Sequence, residues 1–212
     1  MVEAILAGRK TQTRRILKSD AKIIRWSPVV LNGHGGFIDE HGRPIKLRHG
    51  VTGDQLWVRE TYYAYGRWET RFNQKKGRDE WHFVDLTRDF GPYRYADNPP
   101  ETTEKVRGGT GWYKRPSLFM PRDASRILLE VENNRIERLQ DISEADAIAE
   151  GIYCYGEPAP GLFLYKNYTV PESEDVGIIE AVSSYETLWQ SINGPESWSN
   201  NDYVTATSFR RI

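Results

Sequence analysis

Apolar residues recur at helical spacing in several stretches of the chain. This spacing predicts a short amphipathic helix in MVEAILA and a longer helix over about 178–192, which NGP at 193–195 ends. Ser143 as N-cap, with Asp146 at the third position as a capping-box variant, predicts a further short helix over 143–150, whose last turn contains Glu150. A carboxylate at that position faces the negative end of the helix dipole, which a surface glutamate tolerates and a nearby lysine would compensate.

Alternation with period two predicts strands elsewhere. The predicted strands are GDQLWVRETYYAY at 53–65, SRILLEVE from Ser125 to Glu132, and YVTATSFRRI at the C-terminus. On the first strand, one face would carry Leu56, Val58 and Glu60, and the other would carry Trp57, Arg59 and Thr61. Because strands dominate and the helices are few and short, we predict a mainly β protein with flanking helices (α+β), built as a partly open β-barrel.

The chain of 212 residues is long enough for one substantial core and short for two. Charged and aromatic residues mix over about 66–115, which we interpret as an insertion on a smaller β domain. Residues 154–177 contain three prolines and are predicted to form a long loop. No repeat and no linker is apparent, so residues 1–212 are predicted to form a single domain.

Charge is balanced overall and uneven locally. The net charge is −1, yet residues 1–26 carry seven Lys or Arg against two acids, so this end could face an anion. Cys154 is the single cysteine, which suits a reducing compartment. No apolar run approaches the roughly 20 residues of a membrane span, and no secretory signal is apparent. We therefore expect a cytoplasmic protein without a membrane partner.

Metal and cofactor motifs are missing from the sequence. The histidines are His34, His41, His49 and His82, and their spacing fits no metal-binding pattern. No P-loop, GxGxxG or GxSxG occurs. We therefore predict neither a metal nor an organic cofactor.

The segment GRKTQTRR is the candidate for chemistry. Neighbouring guanidiniums disfavour the protonated form of Lys10, and a lysine with a lowered pKa can act as a base toward a hydroxyl such as that of Thr13. Arg14 and Arg15 could lower that pKa or stabilise an oxyanion. Glu150 would orient Lys10. The alternative is that these basic residues only complement the dipole of the preceding helix.

Several stretches resemble the ASCH-domain family, in its larger phage and bacterial branch. They are ILAGRKTQTRR, GDQLWVRETYY, MPRDASRILLEV, RLQDISEADAIAEGI, LWQSINGPESW and the terminal FRRI. They leave out mainly residues 66–111 and 154–177. The resemblance implies a PUA-like β-barrel and RNA or nucleoside ligands. Relatives usually have a short strand before the helix at MVEAILAG, so either another segment fills that edge here or the strand is missing.

A small bacterial member of the family cleaves N4-acetylcytidine to cytidine and acetate. Its proposed catalytic groups correspond to Lys10, Thr13 and Glu150. The candidates for substrate binding are Arg14, Arg15, Trp57, Arg59, Glu60, Trp112 and Arg122. An indole and a guanidinium side by side suit a stacked pyrimidine and its polar edge, although barrel packing and surface ion pairs explain them equally well.

The resemblance favours an amidohydrolase that removes the N4-acyl group of acylated cytidine or cytosine, a small-molecule nucleoside substrate. Thr13 would attack the amide carbonyl, with Lys10 as its base; equally, Lys10 and Glu150 would activate water while Thr13 only orients it. The second interpretation is a module or ribonuclease for single-stranded RNA, which the near-neutral charge weakens. A third is an accessory protein without catalysis. The oligomeric state is not predicted.

Overall fold

Strands account for more of the described chain than helices do. The computed structural model describes residues 1–18, 24–30, 34–106 and 108–212. The chain forms two compact units, a first unit of Met1–Leu56 with Leu129–Ile212 and a second unit of Trp57–Leu128. The predicted insertion at 66–115 lies within the second unit. The mainly β prediction is confirmed.

The elements follow the chain in this order. The helices are α1 (Val2–Leu6), α2 (Thr87–Phe90), α3 (Glu144–Ala149) and α4 (Ala181–Asn193). The strands are β1 (Gln12–Ile16), β2 (Ile24–Val30), β3 (His34–Asp39), β4 (Gln55–Trp57), β5 (Tyr62–Asn73), β6 (Arg78–Asp85), β7 (Arg94–Tyr95), β8 (Thr110–Arg115), β9 (Leu128–Arg138), β10 (Cys154–Ala159), β11 (Leu162–Tyr165) and β12 (Tyr203–Arg211). No described helix is long and apolar enough to cross a membrane.

The main sheet of the first unit has the strand order β1–β12–β9–β4. Strand β12 is central and pairs antiparallel with β1 and with β9. Its residue Ala206 lies opposite Arg14 on one side and opposite Arg135 on the other. Because alanine is small, the two arginine side chains of this row have room above the sheet.

The core of the first unit packs α3 and α4 with residues of the sheet. Its buried members are Leu139, Ile142, Ala147, Ile152, Tyr165, Ala181, Tyr185, Trp189 and Val204. The Glu144 carboxylate of α3 accepts hydrogen bonds from the backbone N–H groups of Ala181 and Val182, at 2.7 and 3.1 Å. These N–H groups belong to the first turn of α4 and have no partner within the helix, so Glu144 fixes α4 against α3.

Helix α3 begins and ends as its sequence predicts. The Ser143 hydroxyl accepts from the Asp146 N–H at 3.2 Å, which confirms the N-cap. The helix stops at Glu150 because Gly151 adopts φ +81°, where other residues are strained. A Cβ on Gly151 would lie 2.7 Å from the Cβ of Lys10. This glycine therefore lets the end of α3 approach Lys10 closely.

The second unit is built on the long strand β5. Strand β6 pairs with one edge of β5, and β7 and β8 pair with the other. Its buried core contains Tyr62, Ala64, Met120 and Ala124. The aromatic residues that the sequence mixes with charges over 66–115 are thus the side chains of a β-sheet.

Two predicted strands have different bounds in the structure. The strand predicted over 53–65 breaks after Trp57, because the N–H of Glu60 turns to the sulfur of Met120 at 3.3 Å and β5 begins only at Tyr62. The continuous strand predicted through 58–61 is therefore wrong, although exposure still alternates there, with Glu60 buried and Arg59 and Thr61 exposed. The strand predicted from Ser125 starts instead at Leu128 and runs to Arg138, since β12 pairs with it along its length.

The segment before α4 also differs from its prediction. Residues 154–165, expected within a long loop, form the hairpin of β10 and β11. Helix α4 begins at Ala181, because Ile178 forms a bridge with Tyr165 instead of the first helical turn. Gly194 ends α4, as predicted. The final strand is confirmed as β12.

Candidate functional site

A cavity of about 600 Å³ opens in the first unit beside the end of α3. Its wall includes Lys10 and Glu150 together with the aromatic residues Tyr168, Tyr185 and Trp189. Ligand pockets of roughly 300–1,000 Å³ hold molecules of nucleoside to drug size. The cavity therefore has the volume for a small organic substrate.

Lys10 is held by the backbone on both sides. The N–H groups of Arg9 and Lys10 both donate to the carbonyl of Ala4 in α1, at 2.8 and 3.0 Å. The N–H of Thr11 donates to the carbonyl of Ala149 at 2.9 Å, which ties the chain to the end of α3. These bonds satisfy terminal carbonyls of both helices and set the position of the Lys10 side chain.

The Lys10 amine contacts Glu150 twice. Its Nζ donates to the backbone carbonyl of Glu150 at 2.6 Å and to the Oε2 of the same residue at 2.8 Å. Both side chains are buried, with 7% and 4% of their surface exposed. The Lys10 nitrogen has four tetrahedral positions. Its side-chain carbon occupies one, and the N–H groups of these two hydrogen bonds occupy two more. The fourth holds a third N–H in the charged form and a lone pair in the neutral form.

Burial lowers the pKa of the Lys10 ammonium below its usual 10.5. Loss of hydration disfavours the charged form and is the largest cause; the Glu150 carboxylate opposes it, and Arg15 and Arg14 add to the decrease. Desolvation therefore lowers the Lys10 pKa more than the neighbouring arginines do, and only the arginines are visible in the sequence.

Arg14 organises three carboxylates at the cavity wall. Its guanidinium is fully buried and contacts Glu137 at 2.6 Å, Asp146 at 3.0 Å and Glu150 at 3.4 Å. Arg135 shares two of these partners, Glu137 at 3.3 Å and Asp146 at 2.7 Å. Since buried charges are costly unless paired, Arg14 fixes the position of the Glu150 carboxylate that holds Lys10.

Thr13 does not join this group through a hydrogen bond. Its hydroxyl is buried and has no hydrogen-bond partner in the part of the chain that the structure describes. Thr13 lies on β1 opposite Thr207 of β12. The structure thus brings Lys10 and Glu150 together and leaves the Thr13 hydroxyl without a bond to either.

Arg15 lies at the cavity, and one nitrogen of its guanidinium is hydrogen-bonded to the backbone. Its Nη1 donates to the carbonyl of Arg14 at 2.7 Å, and the side chain lines the cavity wall. Nearby, the pKa of His49 falls to about 4 because of burial first, and then because of the positive charges of Arg15, Arg48 and Lys10. Arg15, Arg48 and Lys10 thus all act on His49 as positive charges.

The other substrate-binding candidates belong to the second unit. Arg59 lies over the ring of Trp57, with the guanidinium carbon 4.6 Å from the ring centroid, and Arg122 lies 5.7 Å from the same centroid. Glu60 is buried and forms a two-bond ion pair with Arg126, at 2.9 and 3.1 Å. Its carboxylate therefore has a structural partner.

Trp112 and Arg122 also have neighbours within the second unit. Trp112 packs edge-on against Tyr65, with ring centroids 5.5 Å apart. Arg122 is exposed, and the adjacent Asp123 pairs with Arg88. Whether Trp57, Arg59, Glu60, Trp112 and Arg122 bind substrate stays a prediction.

Sequence reasoning missed the residues that surround Arg14. Glu137 and Arg135 lie two apart on β9, so they share a face of the strand, which is the signal that could have paired them. Asp146 was expected only to complete a capping box, whereas its carboxylate binds Arg14 and Arg135. Which residue of β9 lies across β12 from Arg14 depends on the strand register, and no local sequence pattern reveals that register.

Metal ligation has no candidate in the described part of the chain. Among residues 1–18, 24–30, 34–106 and 108–212, no three or more His, Cys, Asp or Glu side chains are arranged to hold an ion. The carboxylates around Arg14, which belong to Glu137, Asp146 and Glu150, pair with this guanidinium instead.

Comparison with known proteins adds no relative. No protein-family model matches the chain, no curated protein matches its sequence, and no solved structure matches its fold. The resemblance to the ASCH-domain family rests on the quoted sequence stretches alone.

Proposed function

We propose that this chain is an amidohydrolase of the ASCH type with a PUA-like fold, which removes the N4-acyl group from acylated cytidine or cytosine. The observation that carries the proposal is the buried Lys10–Glu150 pair, joined at 2.8 Å in the wall of a cavity of about 600 Å³. A base with a lowered pKa beside a substrate-sized cavity is the arrangement that general base catalysis needs.

Lys10 is the base in this proposal. In the neutral amine, the nitrogen lone pair occupies the fourth tetrahedral position. The two hydrogen bonds to Glu150 keep the amine from rotating. A water molecule hydrogen-bonded to that lone pair attacks the carbonyl carbon of the N4-acyl group. Its proton passes to Lys10 as the new C–O bond forms.

The lysine then returns the proton to the leaving nitrogen. Protonation of N4 lets the C–N bond of the tetrahedral intermediate break, which releases cytidine and a carboxylic acid that ionises in water. Glu150 stabilises the transient Lys10 ammonium, and Arg14 holds Glu150 in place. Arg15, which lines the cavity, is the candidate donor to the oxyanion of the intermediate.

Direct attack by water is favoured over attack by Thr13. A nucleophilic hydroxyl must reach both its base and the carbonyl carbon, and such pairs lie within about 2.6–3.2 Å. The Thr13 hydroxyl is buried and forms no hydrogen bond to Lys10. Thr13 is therefore a buried residue of β1 in this proposal and takes no part in the chemistry.

Turnover of N4-acetylcytidine tests the proposal. The chain is incubated with the nucleoside, with and without EDTA, and cytidine and acetate are separated by chromatography. Release of both products in equal amounts, unaffected by EDTA, is expected. Glu150→Gln should reduce kcat by about 10²-fold, because Lys10 loses its charged partner and its fixed orientation. Wild-type chain that leaves the nucleoside intact at every pH would refute the proposal.

Binding of single-stranded RNA is the second candidate. It is supported by the cation–aromatic contacts of the second unit, where Arg59 and Arg122 lie against Trp57, since guanidinium and indole surfaces stack on bases. Binding through several phosphates weakens with salt, with a log–log slope of about −0.7 per contact for single strands. Hydrolysis of a neutral nucleoside should depend only weakly on salt. Tight, salt-sensitive RNA binding without nucleoside turnover would favour this candidate.

A further inference from the structure

Positive charge exceeds negative charge in the cavity wall. The described charged side chains that line it are Lys10, Arg14, Arg15, Lys18, Arg48 and Glu150. Five of these are basic and one is acidic. The proposed hydrolysis needs one base, one carboxylate and one oxyanion donor, so the wall contains more cations than the chemistry at the amide uses.

Carboxylates account for two of the five cations. Lys10 pairs with Glu150, and Arg14 is enclosed by three acidic side chains. Arg15, Lys18 and Arg48 form no ion pair with a carboxylate in the ranges that the structure describes. Unpaired cations that line one cavity repel each other and lower stability unless an anion lies among them.

His49 independently locates this positive region. Its pKa falls to about 4, and after burial the causes are Arg15, Arg48 and Lys10. These three cations therefore act on one point in the first unit. The His49 Nδ1 is buried without a hydrogen-bond partner among the described residues, so no described carboxylate is hydrogen-bonded to this nitrogen.

Apolar and aromatic side chains also line the cavity. Tyr185, Leu188, Trp189 and Ile192 of α4 line it. Trp189 is 5% exposed, and its indole Nε1 has no hydrogen-bond partner in the described part of the chain. A ligand with a flat ring would pack against the exposed parts of these side chains. A cavity lined by both unpaired cations and aromatic side chains matches a flat base joined to an anion.

We infer that Arg48 and Lys18 bind a phosphate of the substrate, so that the cavity takes an N4-acylated cytidine nucleotide in preference to the neutral nucleoside. The inference rests on the proposed function, because the acylated cytosine identifies the anion as a nucleotide phosphate. Arginine binds phosphate oxygens in pairs, and a phosphate dianion neutralises the surplus charge.

Kinetic comparison of two substrates tests the inference. The wild-type kcat/KM for N4-acetylcytidine 5′-monophosphate should exceed that for N4-acetylcytidine by about 10-fold or more, since each charged hydrogen bond contributes about that factor. Arg48→Gln should reduce this ratio by about 10-fold, and Lys18→Gln should reduce it in the same direction. Lys46→Gln is the matched control, as Lys46 is exposed two residues before Arg48 and is not part of the cavity wall. A wild-type ratio near one would overturn the inference.

Product binding separates failure of this inference from failure of the proposed function. Calorimetric titration with cytidine 5′-monophosphate and with cytidine requires no turnover. Tighter binding of the monophosphate, lost in Arg48→Gln and kept in Lys46→Gln, supports the phosphate site even if neither acylated compound is hydrolysed. Equal binding of the two overturns it even if N4-acetylcytidine is hydrolysed.

The phosphate has two possible sources, a free nucleotide or the 5′ end of an RNA. A 5′-phosphorylated trinucleotide with N4-acetylcytidine at its first position distinguishes them. We expect the free monophosphate to have the higher kcat/KM, because the cavity of about 600 Å³ has the volume for one nucleotide. A higher kcat/KM for the trinucleotide would overturn the assignment to a free nucleotide and place the site at RNA ends.

Discussion

The two units of this chain hold their cations in different ways. In the first unit, Arg14 is fully buried and enclosed by carboxylates, and Lys10 lies beside Glu150. In the second unit, Lys105 and Arg115 lie over the ring of Trp68, with the charged atom 4.1 and 4.8 Å from the centroid. Lys10 and Arg14 thus have buried carboxylates as partners, whereas Lys105 and Arg115 lie against an aromatic face, although the second unit also contains ion pairs such as Arg126–Glu60.

This difference indicates where chemistry is expected. Removing charges from water is costly, and the partners must then be fixed in place, which also shifts the pKa of a group such as Lys10. A cation over a ring at the surface keeps most of its hydration and contributes only about 0.5–1 kcal/mol. The first unit thus contains the buried, fixed Lys10–Glu150 pair that the proposed chemistry uses, and the cations on Trp68 in the second unit are suited to packing or stacking.

Arg14→Met should have the largest effect on stability. The substitution leaves Glu137, Asp146 and Glu150 without their shared partner, and an uncompensated buried charge costs about 3–5 kcal/mol of unfolding free energy. Urea unfolding followed by circular dichroism measures the loss. Arg210→Met is the control, because Arg210 is largely exposed and its pairs with Glu130 and Glu132 are surface pairs, which contribute about 0–1 kcal/mol. Similar losses in both variants would show that the Arg14 cluster is not an essential part of the fold.

Lys10→Met should change how stability depends on pH. The folded-state pKa of Lys10 is lowered, so between that value and the usual 10.5 the unfolded chain binds more protons than the folded chain. The wild type should therefore gain stability over Lys10→Met as the pH rises from 7 toward 10. Denaturant midpoints measured at matched pH report this difference. A difference that stays constant or shrinks would mean that burial does not lower the pKa of Lys10.

A smaller effect in acid is expected from His49→Gln. The folded-state pKa of His49 is about 4 and its usual value is 6.5, so the unfolded chain binds more protons across this window. Wild-type stability should fall as the pH decreases from 6.5 to 4, and His49→Gln should lose less over the same range. Thermal unfolding midpoints check this. His82→Gln, at an exposed position on β6, should keep the wild-type dependence; equal behaviour of the two variants would contradict the assignment to His49.

Lys105→Gln should have the smallest effect. It removes a cation from the faces of Trp68 and Trp81, for a loss of about 0.5–1 kcal/mol in unfolding free energy. Lys75→Gln, in the exposed turn between β5 and β6, is the matched control and should be neutral within about 0.5 kcal/mol. Chemical denaturation measures both. A loss in Lys105→Gln as large as that in Arg14→Met would remove the distinction between the two units.

The sequence predicted helix ends and strands whose position depends on residues close to them along the chain. Ser143 as N-cap, Gly194 as the end of α4 and the final strand β12 follow from residues within a few positions. The compensation of Glu150 at the end of α3 by Lys10 was also predicted, because a carboxylate at the negative end of the helix dipole needs a cation.

Features that depend on distant register were not predictable in the same way. Arg14 and Arg135 lie on either side of Ala206 only because β12 pairs with both β1 and β9. The break after Trp57 follows from the contact of the Glu60 N–H with Met120, sixty residues away. The dominant influence on Lys10 is burial, which sequence cannot measure, whereas the neighbouring arginines are visible in it.

The central claim is that Lys10 is a base and not only a positive charge that caps α3 and holds Glu150. The most direct test is kcat for N4-acetylcytidine in Lys10→Arg, compared with wild type and Lys10→Met across pH. A guanidinium keeps the charge and cannot accept a proton at neutral pH, so both variants should lose about 10²-fold or more. The wild-type rate should rise with pH along one ionisation below 10.5. If Lys10→Arg kept most of the activity, Lys10 would be an electrostatic partner and the base would have to be Glu150.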